Sequence, residues 1–208
     1  MSLSIHSANL VQPFRLESLP SYDQAVQLID FYAHNVCWTY HFVHVPTLRR
    51  QLQKTYQQLE QGHLPEPSVL ALISTVFALT KYFSHQSTSL SEIRATPTEQ
   101  GCGEFVALAS RALAEARHLD NPTVESIQAV LLIASSLLLN MGAMTAFRLL
   151  FTAMFMSAQV LLIHQIDSPK NQQLRQNTSH DRVELEIKRR LWWHIASSDW
   201  YDTFLQPL

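Results

Sequence analysis

The chain has 208 residues, of which 47% are hydrophobic, 15% charged and 10% aromatic, so it can bury a core as one domain, or two small ones at most, and disorder is excluded as its main state. Its 15 Lys and Arg stand against 17 Asp and Glu, and this net charge of −2 provides no basic footprint of the kind that dedicated nucleic-acid modules use. Only four glycines are present, which disfavours all-β folds and phosphate-binding loops.

The first predicted elements are a tail and two helices. Residues 1–20 contain two prolines and no sustained period, and we expect an N-terminal tail or linker there. Ser21 is placed to cap the first helix. Pro46 is expected to end the segment before it, and Thr47 to cap a second helix that stops at Gly62. The apolar face of the first helix consists of Ala25, Leu28, Ile29 and Tyr32.

The next two predicted helices are the most apolar. The third opens at Pro67 and runs through Val69–Phe83 with almost no polar side, so it should be a central, buried element. A polar connection follows over Ser84–Ala95, and Thr96-Pro97-Thr98-Glu99 resembles a capping box for the fourth helix. Apolar positions at helical spacing there are Phe105, Leu108, Ala109, Ala112, Leu113 and Ala116.

Three further helices are predicted. Asn121-Pro122-Thr123 starts one that ends at Asn140-Met141-Gly142, and Ala143–Ile163 forms another. After a polar loop over Asp167–Asn177, Thr178-Ser179-His180-Asp181 is expected to cap the last helix. The apolar stripe of that helix is Val183, Ile187, Leu191 and Ile195, and its i,i+4 ion pairs are Glu184–Lys188 and Glu186–Arg190. The chain is therefore predicted to be all-α, with about seven helices packed as an antiparallel bundle or an α-solenoid-like array.

Cysteine usage and hydropathy indicate the compartment. Cys37 and Cys102 cannot form a disulfide framework, which favours an intracellular, reducing environment. The N-terminus lacks the pattern of a secretory signal. The apolar runs Ile127–Leu139 and Phe147–Ile163 are short or interrupted by polar residues, so we expect buried helices there and no membrane span.

One stripe of potential metal ligands precedes Pro46, and it consists of His34, Cys37, His41 and His44. If the first helix continued that far, these residues would share one face. Ligands strung along about 15 Å of helix cannot all reach one zinc or copper ion. We therefore expect the stripe to serve packing, with no metal site.

Catalytic patterns are absent from the sequence. It contains no G-x-S-x-G, H-E-x-x-H, P-loop or dinucleotide-binding motif, so no catalytic residue is predicted. His194 and Asp199 are five residues apart, a spacing that points them in different directions on a helix. The methionines expected to fill the core are Met141, Met144, Met154 and Met156.

Three segments, in chain order, carry a family resemblance. His44–Leu48 is similar to the pattern H-x-P-T-[F/L], and Asn121–Ala129 to a P-[ST]-[LV]-E-[ST]-[LI]-Q-A helix start. Glu186–His194, followed by Asp199, resembles the E-x-x-R-R-x-W-W segment. These patterns belong to the fungal-specific transcription factor domain, the middle homology region of fungal zinc-cluster transcription factors. The match covers about residues 22–205.

The chain also departs from that family. Leu162-Ile163-His164 sits where the family often has L-G-L-H, with Ile163 in place of the glycine. Two cysteines cannot supply the family's six-cysteine cluster, so zinc is expected only in an absent N-terminal cluster, and no cofactor in this chain. The usual turn after the last helix is represented only by Gln206-Pro207-Leu208. We expect residues 21–208 to form a helical regulatory domain that is incomplete at its C-terminus.

The resemblance implies a nuclear regulatory region that modulates transcription and is not an enzyme. Its expected partners are proteins of the transcription machinery, a second copy of itself or a small apolar effector, with DNA contacted only through the missing domain. Arg189, Arg190 and Asp199 are expected to act as buried polar anchors. The residues to which the resemblance assigns a structural role are Glu186, Arg189, Arg190, Trp192, Trp193, Asp199, His44 and Pro46.

A second interpretation belongs to a different class. A detached helical domain could be reused as a stand-alone small-molecule-binding protein or pathway enzyme with an apolar pocket. The candidate lining residues of that pocket are Trp38, Tyr40, Phe151 and Met154.

Overall fold

The computed structural model describes residues 19–86, 101–171 and 182–205, and all regular structure within these ranges is helical. A π-helical segment, Ile133–Leu138, continues α5, and a 3-10 turn, Ile163–Gln165, follows α6. The α-helices of nine residues or more are α1 (Tyr22–Asn35), α2 (Val45–Glu60), α3 (Pro67–Gln86), α4 (Cys102–Glu115), α5 (Val124–Leu132), α6 (Met144–Val160) and α7 (Arg182–Leu205). The predicted all-α class is confirmed.

Local capping chemistry sets several of these helix starts. Ser21 and Gln24 form a reciprocal capping box at α1, and Thr123 and Ser126 form another at α5. Gly62 has a φ of +73° directly after α2, the left-handed conformation that ends many helices. These predicted boundaries are confirmed.

The predicted cap of α2 is wrong. The helix begins at Val45, so His44 is the N-cap and Thr47 lies inside the first turn. Pro46 also lies in that turn, where its missing N–H removes no intrahelical hydrogen bond. The proline therefore starts a helix here, whereas α1 has already ended at Asn35.

Several predictions fall outside the described residues. They concern the tail before residue 19, the capping box Thr96–Glu99, the cap Thr178–Asp181 and the final turn Gln206–Leu208. The fourth helix as described begins at Cys102, with Gly101 as its N-cap.

Helix α3 is the centre of the fold. Every residue from Ser68 to Lys81 is buried, and α1, α2, α4 and α5 all pack against this helix. By length and composition alone Pro67–Ser84 could cross a membrane, but 83% of this stretch is buried inside the fold, as expected of a core helix. Among the described helices, α3 contacts helices one and two positions away in the chain. Both the bundle and the array of stacked helix pairs that the sequence predicts have such contacts.

Helix α6 is only half buried. Phe147, Phe151 and Met154 face the core. Three of the four methionines predicted to fill the core are instead exposed, and they are Met141, Met144 and Met156. Met141 lies in the turn before α6. For Met144 and Met156 the prediction failed because the apolar run of α6 covers its outer face as well, so composition could not separate the inner methionine from the outer ones.

The chain reverses after α6 through one residue in the left-handed conformation. Leu162 has a φ of +54°, and its side chain is 55% exposed. A Cβ in this conformation lies too close to the following carbonyl oxygen, which costs about 1–2 kcal/mol. The position that favours glycine is therefore Leu162, and the assignment of the missing glycine to Ile163 is wrong.

Replacing Leu162 with glycine should leave the protein more stable than replacing it with alanine, by about 1 kcal/mol, because only alanine keeps the strained Cβ. Val160 provides the control, since it is exposed on the last turn of α6. There alanine should be more stable than glycine by about 0.5–1 kcal/mol. Urea unfolding of the four variants measures both differences, and an advantage of alanine at both positions would contradict a left-handed Leu162.

Candidate functional site

The three segments that carry the family patterns meet at one cavity, called here the motif crevice. It has a volume of about 330 Å³ and lies between the start of α2, the start of α5 and the start of α7. His44 and Thr47 contribute from the first segment, Glu125 and Gln128 from the second, and Ile187 from the third. Segments far apart in sequence thus share one surface.

Polar side chains hold the walls of the motif crevice together. The Gln51 amide donates to the Glu125 carboxylate at 2.9 Å, which links α2 to α5. The buried Gln128 amide donates to the main-chain carbonyl of Phe42. Since the connection between α1 and α2 lacks regular structure, its carbonyls need such partners. The family-like Glu and Gln of α5 therefore act as structural links here.

A second cavity lies between the connection of residues 36–44 and α7, and we call it the aromatic cavity. Its volume is about 350 Å³. Its lining residues are Thr39, Tyr40, His41, Phe42, Glu186, Arg189, Arg190, Trp193 and His194. The cavity therefore combines five aromatic or imidazole rings with two guanidinium groups and one carboxylate.

His194 connects this cavity to the π-helical segment. Its Nε2 atom lies 3.1 Å from the Ser135 hydroxyl, and its ring packs against Tyr40 and Phe42 at centroid distances of 5.2 and 5.1 Å. The Tyr40 hydroxyl donates to the Ser135 carbonyl at 3.0 Å. In this segment Leu139 N–H bonds the Ala134 carbonyl five residues back, the shifted pairing of a π-helix.

Burial lowers the pKa of His194 to about 4, so the imidazole is neutral at pH 7. Sequence reasoning considered His194 only as a partner of Asp199, whose side chain lies outside the described residues. The sequence signal for His194 was its position directly after the two tryptophans of the third segment. Its contact with Ser135 could not be predicted, because hydrophobic periodicity does not show which helices pack together.

The arginine pair of α7 is not buried. Arg189 binds Asp167 through Nε at 2.9 Å to both carboxylate oxygens, and Arg190 binds Glu186 through Nε at 2.8 Å. The two arginine side chains are 36% and 49% exposed. The predicted buried pairing is therefore wrong, and exposed pairs of this kind contribute about 0–1 kcal/mol. Glu186 lies between both guanidinium groups, and their hydrogen bonds hold the pKa of its carboxyl below the usual value.

The two tryptophans differ in burial. Trp192 is partly buried and packs against Phe155 and His164, each with ring centroids 5.8 Å apart. Trp193 is 70% exposed. The expectation that the two would not both face water is confirmed.

The stripe of potential metal ligands does not share a helix face. Helix α1 ends at Asn35, so only His34 belongs to it. His34 and His41 are exposed, and the packing interpretation is wrong for both. Cys37 does pack against the core, where burial raises the pKa of its thiol. His44 is partly buried, with its Nδ1 atom 2.8 Å from the Thr47 hydroxyl.

The predicted apolar pocket is not formed by the four residues assigned to it. Trp38 is 69% exposed, whereas Phe151 and Met154 are buried in the core. Only Tyr40 lines either of the two cavities described above. Periodicity cannot reveal which irregular segment lies over which helix, and this is why the connection of residues 36–44 was missed as a cavity wall.

Comparison with known families identifies one match. The model of the fungal specific transcription factor domain matches residues 29–201. This is the family that the three segments resemble, so the resemblance is confirmed. No solved structure matches the chain.

Curated relatives carry the same kind of name. The agnestins biosynthesis cluster transcription factor AgnL11 of Paecilomyces divaricatus is 43% identical over 190 residues, which cover 91% of this chain and 28% of that protein. The probable transcription factor lepB of Aspergillus flavus is 31% identical, covering 88% of this chain and 33% of that protein. Transcription factor TAS2 of Pyricularia oryzae is 27% identical, covering 85% and 23%. The chain thus spans about a quarter to a third of their lengths.

Stability should fall as the pH is lowered from about 6.5 towards 4. The unfolded His194 takes up a proton near pH 6.5, whereas the folded one resists until about pH 4. The unfolded state therefore binds more protons in this window, and about 2 kcal/mol should be lost between pH 7.5 and 5. Urea unfolding of wild type and His194→Gln at both pH values measures it.

The variant should lose this part of the pH dependence. His34→Gln is the control, because His34 is exposed. This substitution should leave the pH dependence of the wild-type stability unchanged. Equal pH dependence in wild type and His194→Gln would contradict a buried neutral imidazole.

Proposed function

The chain belongs to the fungal specific transcription factor domain family, and from this we propose that it is the regulatory, middle homology region of a transcription factor. In this role it changes transcriptional output through contacts with proteins or small molecules. The observation that carries the proposal is the meeting of all three family-like segments at the motif crevice, within the matched residues 29–201.

The alternative interpretation as a pathway enzyme is not favoured. The family and the relatives named above are transcription factors and not enzymes. The hydrogen bonds at the motif crevice also support a structural role for its polar residues. Gln51 binds Glu125 across two helices, and Gln128 binds the main-chain carbonyl of Phe42.

The remaining functions of the full-length protein would lie outside this chain. The relatives are three to four times longer than the segment they share with it. We assign DNA recognition, and zinc in a six-cysteine cluster, to such an additional region. The protein would act in the nucleus, and its partners there would be the transcription machinery, a second copy of the chain or a small effector.

Several basic side chains among the described residues already pair with acidic ones, which supports the assignment of DNA recognition to another region. Arg49 pairs with Asp30 at 2.7 Å, and Arg117 pairs with Asp120 at 2.8 Å. On α7, Lys188 and Arg189 each pair with a carboxylate. Phosphate contacts need cations that are free to replace counterions, and these cations already have acidic partners.

A reporter experiment tests the proposed function. The chain is fused to an unrelated bacterial DNA-binding domain, and output from a promoter carrying its operator is compared with that of the DNA-binding domain alone. We expect output to change at least threefold. Ile127→Asp, which places a charge at a fully buried position, should abolish the change, whereas Leu139→Asp at an exposed position should preserve it. Equal output from all fusions would contradict the proposal.

The isolated chain should not bind DNA specifically. Sequence readout requires side chains on base edges together with cations for the phosphates, and a net charge of −2 opposes the contacts with the phosphates. A mobility-shift titration at physiological salt is expected to show weak binding or none, equal for a duplex and its scrambled version. Sub-micromolar binding that discriminates between the two duplexes would contradict the assignment of DNA recognition to another region.

A further inference from the structure

The wall of the aromatic cavity is apolar although it contains polar side chains. Phe42 is 2% exposed, and Tyr40 and His194 pack against it and against each other. The Tyr40 hydroxyl and the His194 Nε2 atom both have Ser135 as their partner. The ring surfaces thus form the wall, while the Tyr40 hydroxyl and the His194 Nε2 atom are already engaged.

One guanidinium group at this cavity can still receive an anion. The lining contains two guanidinium groups and one carboxylate, and Asp167 outside the lining pairs with Arg189. Arg189 is held by Asp167 through several hydrogen bonds. Arg190 donates from Nε to Glu186 and from Nη1 to the His41 carbonyl, and its Nη2 atom has no hydrogen bond to any described residue. Arg190 is therefore the group with a donor still available to a carboxylate.

Trp193 adds an exposed aromatic ring to the same cavity. It is 70% exposed, and it lines the cavity beside Arg190. An indole of this exposure offers a large contact surface for another ring. Trp38 is exposed to the same extent, 69%, but it does not line the cavity. The two tryptophans thus form a matched pair for experiment.

We propose that the aromatic cavity binds a planar aromatic carboxylate. The rings of this ligand pack against the aromatic wall and Trp193, and its carboxylate group pairs with Arg190. A volume of about 350 Å³ lies at the small end of ligand sites, which suits two or three fused rings. The role of such a ligand as an effector of transcription rests on the proposed function, but its binding does not.

Isothermal titration of the full chain with 2-naphthoate tests this proposal. We expect one saturable site with a Kd below about 1 mM, the range that a ligand of this size commonly reaches. Naphthalene-2-carboxamide, which is neutral, and cyclohexanecarboxylate, which is not aromatic, should each bind at least fivefold more weakly. Absence of saturable binding, or equal binding of the three compounds, would overturn the proposal.

Two matched pairs of variants locate the site. Trp193→Ala should weaken 2-naphthoate binding about fivefold or more, whereas Trp38→Ala should leave it unchanged. Arg190→Gln should weaken it about tenfold or more, and Arg190→Lys less, since lysine keeps the charge without the planar fork. Arg49→Gln is the control, because Arg49 has similar exposure, 53% against 49%, and also pairs with one carboxylate.

Thermal unfolding of each variant verifies that it is folded before titration. Equal losses in both members of either pair would overturn the proposal, because they would place binding elsewhere or nowhere specific. The reporter assay is independent of this measurement. Failure to bind 2-naphthoate with a normal reporter response would reject this ligand site alone, whereas normal binding with no reporter response would reject the proposed function.

Discussion

The constraint on which the rest of the fold depends is the burial of α3 on every side. A helix without a polar face cannot be stable at a surface, because its apolar side chains must leave water in all directions. Helices α1, α2, α4 and α5 supply that enclosure. Even polar residues of α3 are buried, and the Thr80 hydroxyl is satisfied by donating to the Leu28 carbonyl of α1 at 3.0 Å. The positions of the outer helices follow from this requirement.

Because α1 and α2 both pack against α3, the connection between α1 and α2 (residues 36–44) crosses other helices without regular structure of its own. Its main-chain carbonyls then need external donors, since an unsatisfied buried carbonyl costs about 1–3 kcal/mol. Gln128 of α5 supplies one for the buried Phe42 carbonyl, and Arg190 of α7 adds an exposed hydrogen bond to the His41 carbonyl. Tyr40 makes the reverse contact, donating to Ser135 of the π-helical segment. Two of the three family-like segments thus provide polar partners for one irregular connection, and the third follows it directly.

The sequence could predict features that depend on local chemistry. The helix starts at Ser21 and Thr123 were predictable because each depends on capping residues at most three positions apart, and the burial of α3 follows from its composition. Contacts that depend on the path of an irregular segment could not be predicted. The stripe containing His34 and His41 required α1 to continue past Asn35, and nothing in the spacing shows where an apolar helix gives way to a turn. The family resemblance predicted buried arginines on α7, whereas Arg189 pairs with Asp167 from the loop after α6 and stays partly exposed.

The same connection forms part of the walls of both cavities. Val43 and His44 line the motif crevice, while Tyr40 and His41 line the aromatic cavity. A carboxylate bound at Arg190 would accept a hydrogen bond from a guanidinium group that also donates to the His41 carbonyl and to Glu186. A shift of the Arg190 guanidinium changes its hydrogen bond to the His41 carbonyl, while the hydrogen bond from Gln128 of α5 to the Phe42 carbonyl remains. The attachment of this connection to α5 is buried, whereas its attachment to α7 lies at an arginine that is 49% exposed. The α7 attachment is therefore the one that solvent and a ligand in the aromatic cavity can reach.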